Sequence, residues 1–255
     1  MDNAFNTVSV LGFKVFNDDL KNIPVQGEKS RVINCSISPN NYGLTVKDAE
    51  FKSTLQKTDF LVLDGVYFAL ASIFLLGKNI RRNQGPDVYK HFVERMEETS
   101  GKVFFLGSSE KVLGLIKDRM NREYPNITVG TYSPPFKKEF SDQDNQDMID
   151  AINAFEPNVL FVGMTAPKQE KWSVKHRDSL NTNLIVSIGA VFDWYAGTEK
   201  EINPIWFKLR LGWLLRMIYR PEIFKRNMGN TIVFFRDLAL IILRLKQQPT
   251  FPNLS

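Results

Sequence analysis

The sequence predicts an α/β protein: a Rossmann-like, mostly parallel sheet flanked by helices, with a basic amphipathic helical appendage at the C-terminus. Two observations predict the sheet. Short apolar runs recur between about residues 30 and 195, and longer segments with helical spacing separate them. A third observation predicts the appendage, because nine Lys or Arg and two acidic residues lie among many apolar ones from Trp206 to Lys246. We therefore predict an α/β domain over 1–197 and an appendage over 198–255.

Six apolar runs are predicted to be strands, and those flanked by helical patterns to be buried and parallel. In chain order they are "RVINCSI", "DFLVLDG", "KVFFLGS", "ITVGTY", "NVLFVGM" and "LIVSIGAVF". The segment after "KVFFLGS" has apolar residues at helical spacing and stops at Pro125 (Val112, Leu115, Ile116, Met120). The next helix is predicted to begin after Ser141 as N-cap. Its acidic pair, Asp142 and Asp144, fits a helix N-terminus better than a metal site.

The tail is predicted to contain an amphipathic helix over 231–246. One side of this helix is an apolar stripe of Phe234, Leu238, Ile241 and Leu245. Phe235 and Ile242 lie beside the stripe, and the charged residues Arg236, Asp237 and Arg244 lie away from it. Basic residues around such a helix suit an anionic membrane surface. A core helix of the same domain and an oligomer interface remain alternatives.

Composition limits the classes of function. With 255 residues, 43% hydrophobic and 24% charged, the chain is typical of a globular protein. The net charge of +5 suits an anionic partner. Nucleic acid is disfavoured, because the cations concentrate in an apolar tail instead of alternating with stacking aromatics on a sheet.

A cytoplasmic location is expected from two features. Cys35 is the only cysteine, so the chain has no internal disulfide, and no Cys/His cluster predicts a zinc site. The N-terminus lacks a basic region followed by an apolar core, so we expect no signal peptide. The longest apolar runs are interrupted by Arg236 and Asp237, and we expect no membrane-spanning helix.

Candidate site residues lie where predicted strands end, since ligands of open α/β sheets bind outside the carboxyl ends of the strands. Asp64 follows the strand "FLVL" and is predicted to be a partly buried carboxylate that serves as a general base, or else a helix or turn cap. Gly107, Ser108 and Ser109 form a turn of small residues before a helix. Such a turn suits a phosphate, with a serine-capped tight turn as the alternative.

The stretch "FVGMTAPKQEKW" carries the most specific signal. After the strand, Pro167 suits the first helical position, which places Lys168, Gln169 and Glu170 in the first turn of a helix. Lys168 there offsets the charge of a diphosphate, and Gln169 hydrogen bonds to sugar or base hydroxyls. A solvated helix start is the alternative, although acidic residues would be the usual choice at that place.

The segments "VGMTAPKQEKW", "SIGAVFDWYAG" and "FFLGSSEKV" with "REYPNITVGTY" resemble the WecG/TagA/CpsF family of bacterial glycosyltransferases, glycosyltransferase family 26. The resemblance implies an inverting, metal-independent enzyme of cell-surface polysaccharide synthesis. It implies transfer of a sugar from a UDP-sugar to a polyprenyl-diphosphate-linked acceptor. The donors it implies are UDP-linked N-acetylmannosamine, its uronic acid or glucose. It places such an enzyme peripherally on the inner face of the cytoplasmic membrane, with homo-oligomerisation left open.

The resemblance also implies roles for particular residues. Asp64 falls on the proposed catalytic base, Ser36 on a threonine of the family, and Arg216 on an arginine near the diphosphate. The UDP-sugar site would be formed by nine further residues (Gly107, Ser108, Ser109, Tyr132, Gly163, Lys168, Gln169, Glu170, Asp193). The chain departs from the family pattern at Ser38, at 201–202 and at Gly212, where asparagine, arginine and glutamate are usual. A non-catalytic, nucleotide-binding membrane scaffold is the alternative function.

Overall fold

A single eight-stranded sheet organises the fold of the computed structural model, which describes residues 5–27, 30–198 and 221–252. The spatial order is β1-β2-β4-β3-β8-β7-β5-β6, and every neighbouring pair is parallel except β1 with β2. The strands are β1 Thr7–Val10, β2 Phe13–Phe16, β3 Arg31–Ile37, β4 Phe60–Leu63, β5 Lys102–Gly107, β6 Thr128–Tyr132, β7 Val159–Gly163 and β8 Leu184–Ser187. The predicted α/β class with a mostly parallel sheet is confirmed.

Helices cover both faces of the sheet. They are α1 Pro39–Lys47, α2 Ala49–Gln56, α3 Tyr67–Leu76, α4 Gly85–Glu98, α5 Glu110–Glu123, α6 Asp142–Phe155, α7 Lys168–His176, α8 Val191–Tyr195 and α9 Pro221–Ile242. Helices α4, α5 and α8 pack on one face, and α6, α7 and the group α1, α2, α3 and α9 pack on the other. Because both faces are covered, the central strands are almost continuously apolar, as predicted.

Side chains that cap the helices explain several boundaries. Ser109 accepts a hydrogen bond from the Val112 N–H at the start of α5. Ser141 and Asp144 form a reciprocal capping box at the start of α6, so the acidic pair belongs to a helix N-terminus, as predicted. Strand β6 runs from Thr128 to Tyr132, within the predicted run "ITVGTY".

The antiparallel β1–β2 hairpin was not predicted. Its two-residue turn, Leu11 and Gly12, has φ values of 52° and 83°, the left-handed conformation that such tight turns require. Leucine is unusual there, so the sequence lacks the usual Asn-Gly or Gly-Gly signal. Buried Val10, Phe13 and Val15 attach the hairpin to the core.

Helix α9 packs against the α/β core through the stripe that the sequence identifies. Phe234 is fully buried between the rings of Tyr42 and Phe68, at centroid distances of 5.6 and 5.2 Å. The helix approaches α1 so closely that a Cβ on Gly43 would lie 2.2 Å from the Asn230 carbonyl oxygen. The stripe was predicted as one face of a helix over 231–246, but the helix ends at Ile242 and Leu245 is exposed. The physical reason is that the chain turns at Arg244, whose φ is 60°.

The division into 1–197 and 198–255 stays a prediction, since 199–220 lies outside the described residues. Within the described ranges, the structure contains no helix that is both long enough and apolar enough to cross a bilayer.

Candidate functional site

The carboxyl ends of β3, β4, β7 and β8 meet at one edge of the sheet and form the candidate site. The helices that follow β3 and β8 pack on opposite faces of the sheet, so the chain diverges between these neighbouring strands. Divergence of this kind opens a crevice, which is where α/β proteins of this type bind ligands. The edge holds most of the predicted site residues.

Asp64 lies at this edge, directly after β4. Its backbone N–H donates a 2.9 Å hydrogen bond to the Ile37 carbonyl, which fixes the residue beside the end of β3. The side chain is exposed, so the predicted partial burial is wrong; β4 ends at Leu63, and the next residue already reaches the surface. Gly65 follows with φ of 90° and open space around it. A substrate can therefore approach the Asp64 carboxylate from solvent.

Glu170 lies beneath the crevice, fully buried in the first turn of α7. Burial raises the pKa of its carboxyl to about 7, with a smaller upward contribution from the charge of Asp64. Hydrogen bonding from Gln169 and Ser36 lowers that pKa in part. Within the described part of the chain, Glu170 Oε2 and Ser36 Oγ are buried atoms without a partner in full hydrogen-bonding geometry. Ser36 and Glu170 therefore offer polar groups that a bound ligand or a proton can satisfy.

Gln169 links the start of α7 to the loop after β7, below the site. Its Oε1 accepts a hydrogen bond from the Met164 N–H at 3.2 Å, and its Nε2 donates to Glu170 Oε1 at 2.9 Å. A Cβ on Gly189, in the loop after β8, would lie 3.5 Å from the same amide. Gln169 is buried and both ends of its amide are already hydrogen bonded, so in this structure it holds the loop after β7 against the start of α7.

Lys168 points away from Glu170 towards the loop before α6. Its ammonium donates to the Lys137 carbonyl and lies 4.4 Å from the centre of the Phe140 ring. Desolvation lowers the pKa of Lys168. Helix α7 begins at Lys168, so Pro167 is the residue before the helix and not its first residue. Lys168 therefore borders the crevice on the β6 side.

The turn after β5 has a left-handed backbone at two successive residues, Gly107 and Ser108. Gly107 has φ of 118°, and a Cβ there would lie only 2.4 Å from the Gly163 carbonyl oxygen, so the position accepts glycine alone. Ser108 is also left-handed, with φ of 57°, and its carbonyl accepts a 2.8 Å bond from Ser133 Oγ. The hydroxyl of Ser109 caps α5, as the alternative prediction of a serine-capped tight turn expects. The same turn presents the N-terminus of α5 to the edge.

Three further predicted residues surround this edge. Tyr132 ends β6 and is partly buried against the α6 side of the sheet. Gly163 ends β7, where a Cβ would lie 2.5 Å from the Phe192 ring. Asp193 lies in α8, and its Oδ1 accepts a 3.4 Å hydrogen bond from Thr198 Oγ1. Arg216, together with positions 201, 202 and 212, lies outside the described residues, so its role stays a prediction.

Asn41 and the start of α4 are features of the site that the sequence reading missed. Asn41 is buried, and its side chain donates a 2.7 Å hydrogen bond to the Ser36 carbonyl. Ser38, where the family usually has asparagine, caps α1 through its hydroxyl. A Cβ added to Gly85, in the first turn of α4, would lie 3.9 Å from Cys35 Cβ and from the Ile188 carbonyl oxygen, so this turn packs close to the ends of β3 and β8. The signals were "SPNN" and "QGPD", two helix starts that local sequence does not assign to a site.

Over the ranges that the structure describes, no group of three or more His, Cys, Asp or Glu side chains could hold a metal ion.

Curated relatives resemble much of this chain. It is 26% identical over 185 residues to the N-acetylglucosaminyldiphosphoundecaprenol N-acetyl-beta-D-mannosaminyltransferase of Bacillus spizizenii, covering 72% of this chain and 70% of the relative. The proteins of the same name from Bacillus subtilis and Staphylococcus aureus are 24% and 25% identical. The alignments cover 79% and 70% of this chain, and 77% and 67% of those relatives.

The sequence profile of the WecG/TagA/CpsF family of glycosyl transferases matches residues 7–248. The match extends from the β1–β2 hairpin to beyond α9 and includes the whole crevice edge described above. The chain therefore belongs to the WecG/TagA/CpsF family of glycosyl transferases.

Proposed function

We propose that this chain is an inverting, metal-independent glycosyltransferase that moves N-acetylmannosamine from a UDP-sugar to an N-acetylglucosaminyl-diphosphate-linked polyprenol. The observation that carries the proposal is that the exposed Asp64 carboxylate, the buried Ser36–Glu170 pair and the Gly107–Ser109 turn all lie at the carboxyl edge of one sheet. The sugar and the acceptor are taken from the names of the relatives. Glucose and the uronic acid of N-acetylmannosamine are the other donors to compare.

The proposed reaction is a single in-line displacement. Asp64 accepts the proton of the acceptor hydroxyl, whose oxygen forms the new bond to C1 of the donor sugar. The bond from C1 to the diphosphate breaks on the opposite face, and UDP leaves with the electron pair. Attack from the side opposite the leaving group inverts the anomeric centre.

The leaving diphosphate gains charge as its bond breaks. In this proposal the backbone N–H groups at Gly107 to Ser109 and the N-terminus of α5 stabilise that charge. Lys168 borders the same region, and Arg216 is the further cation expected from the resemblance. Removing one such contact costs about 2.7–4 kcal/mol of barrier, so Arg216→Ala is expected to slow turnover roughly a hundredfold or more.

The proposed location is the inner face of the cytoplasmic membrane, where a polyprenyl-diphosphate-linked acceptor is embedded. A peripheral enzyme needs no spanning helix to reach such an acceptor.

The test is UDP release in the presence of EDTA, with a short-chain polyprenyl-diphosphate-N-acetylglucosamine acceptor and the three UDP-sugars. We expect release with UDP-N-acetylmannosamine that depends on the acceptor and drops about 10²–10⁴-fold in Asp64→Asn. Asp142→Asn, an exposed aspartate at the start of α6, is the matched control and should retain full turnover. Proton NMR of the product should show the anomeric configuration opposite to that of the donor sugar.

Two results would contradict the proposal. Undiminished turnover in Asp64→Asn would show that Asp64 is not the general base. UDP binding by calorimetry without turnover of any donor would favour the non-catalytic scaffold, for which Asp64 has no required role.

A further inference from the structure

Helix α3 is apolar on its outward side as well as on its buried side. Its ten residues, "YFALASIFLL", contain no charge, and its most polar side chain, Ser72, is fully buried and donates to the Lys78 carbonyl. The outward side presents Leu70, Ile73 and Phe74, of which Phe74 is 72% exposed. A helix on the surface of a globular domain normally places polar residues on that side. The outward face of α3 therefore suits an apolar environment and not water.

Helix α9 carries a second apolar stripe that the core does not cover. The first stripe, through Phe234, is buried, whereas a second repeats at steps of four and three residues and is exposed (Met228, Ile232, Phe235, Ala239, Ile242). This spacing keeps the residues on one side of the helix. The two exposed faces meet where the Tyr67 ring of α3 contacts the Phe235 ring at 5.5 Å. Together they form a continuous apolar surface, called here the α3–α9 surface.

Basic residues lie near the ends of the two helices that form the α3–α9 surface. Lys78 follows α3, Lys225 and Arg226 precede Met228 by three and two residues, and Arg244 follows Ile242, all with exposed side chains. Segment 65–82 contains three basic residues and no acidic one. In the described side chains of α9 the acidic residue is Asp237, which is buried and paired with Arg236 and Lys246. The charged border therefore matches an anionic partner.

We propose that the α3–α9 surface docks on an anionic lipid bilayer, with Ile73 and Phe74 inserted among the acyl chains and the bordering cations on the headgroups. Apolar side chains flanked by Lys and Arg are the combination that holds a protein in the membrane interface. A second copy of this chain would place like-charged borders against each other, so the charge favours a bilayer. Because α3 begins three residues after Asp64, docking places the crevice beside the membrane surface.

This proposal deepens the proposed function and rests on it only for the identity of the lipid-linked acceptor. Docking itself is measured without turnover. Failure of the transferase reaction and failure of docking are thus separate results.

The test is flotation of the full chain with vesicles of phosphatidylglycerol and phosphatidylcholine. Phe74→Glu places a negative charge at the most exposed apolar position of α3, and Leu115→Glu places the same charge on an exposed leucine of α5, on the other face of the sheet. We expect about a tenfold loss of vesicle binding in Phe74→Glu and wild-type binding in Leu115→Glu. Binding of the wild type should weaken on phosphatidylcholine alone. Circular dichroism should show both variants folded.

A second readout separates docking from chemistry. Phe74→Glu should retain turnover with a soluble short-chain acceptor and lose it with an acceptor embedded in vesicles. Three results would overturn the proposal: a wild type that does not float, a Phe74→Glu variant that floats like the wild type, or a wild-type dimer that Phe74→Glu converts to a monomer. The second would assign membrane binding to the tail alone, and the third would make the surface an interface between copies.

Discussion

Gln169 Nε2 donates a 2.9 Å hydrogen bond to Oε1 of Glu170, so two adjacent side chains at the start of α7 form one buried polar unit below the crevice. The same Gln169 amide accepts from the Met164 N–H, which joins the unit to the loop after β7. The unit lies under Asp64, whose charge contributes to raising the pKa of Glu170. A change in the charge of Asp64 therefore changes the pKa of Glu170.

Stability should depend on the protonation of Glu170. Burial raises the pKa of this carboxyl from 4.5 to about 7, so the folded protein holds the proton more tightly than the unfolded chain does. The contribution of Glu170 to the free energy of unfolding therefore falls as the pH rises from 4.5 to about 7. Glu170→Gln, which keeps the acceptor for Gln169, should raise the melting temperature at pH 8 and change it little at pH 4.5. The gain at pH 8 is at most about 3 kcal/mol.

Glu139→Gln, in the exposed loop before α6, is the control and should shift the melting temperature equally at both pH values. If Glu170→Gln changed the melting temperature equally at pH 4.5 and pH 8, the result would contradict a raised pKa at Glu170.

Asp64→Asn should lower the pKa of Glu170, because it removes a like charge that favours the protonated form. Carbon-13 NMR of labelled glutamate carboxyls would follow the titration in both proteins. Asp142→Asn, far along the chain in α6, should leave the Glu170 titration where it is in the wild type. An unchanged titration in Asp64→Asn would show that the two carboxyls do not interact.

Gly107→Ala should weaken UDP binding and destabilise the fold. The added Cβ would meet the Gly163 carbonyl oxygen at 2.4 Å, and φ of 118° is strained for any other residue. Strain of this kind costs about 1–3 kcal/mol, so chemical denaturation and UDP calorimetry should both show a loss. Gly114→Ala is the control, since Gly114 lies in α5 with nothing within 4 Å of the added Cβ. It should stabilise the protein by about 0.5–1 kcal/mol. Equal effects of the two changes would contradict a backbone constraint at Gly107.

Phe234→Ala should detach α9 from the core. The ring is fully buried between Tyr42 and Phe68, and truncating a buried phenylalanine costs about 3–5 kcal/mol. The neighbouring Phe235→Ala removes a ring that is 43% exposed and should cost no more than about 1 kcal/mol. Urea unfolding of both variants measures the difference. Similar losses at the two positions would show that α9 does not pack as described.

Much of the strand pattern was predictable because it depends on local chemistry. Runs such as "FLVL" and "VLFVG" are apolar at every position, as strands covered on both faces must be, and each begins and ends within a few residues of its predicted bounds. The N-caps Ser109 and Ser141 were likewise visible, since a cap is read from one residue and the helix that follows it. The hairpin turn at Leu11 could not be predicted from the sequence, because leucine has no local preference for a left-handed conformation.

The position of the candidate residues at the strand ends was predictable, whereas their exposure was not; their roles in binding and catalysis stay predictions. Asp64, Gln169 and Glu170 were chosen because they follow apolar strands, and the structure brings them to one edge of the sheet. Which of them is exposed depends on packing from elements distant in sequence. Asp64 is at the surface, whereas Glu170 is covered by its neighbours and has a raised pKa as a result.

The sequence alone determined the α/β class, the positions of strands β3 to β8 and the residues at their carboxyl ends, because the spacing of apolar residues and the chemistry of turns are properties of neighbouring residues. Tertiary structure decided which apolar stripe of α9 is buried, that Ser72 of α3 faces inward, and that Ser36 meets Glu170. Each of these depends on which distant element covers a given face. Burial, which sets both the pKa of Glu170 and the exposure of Phe74, is a property of that packing and not of the local sequence.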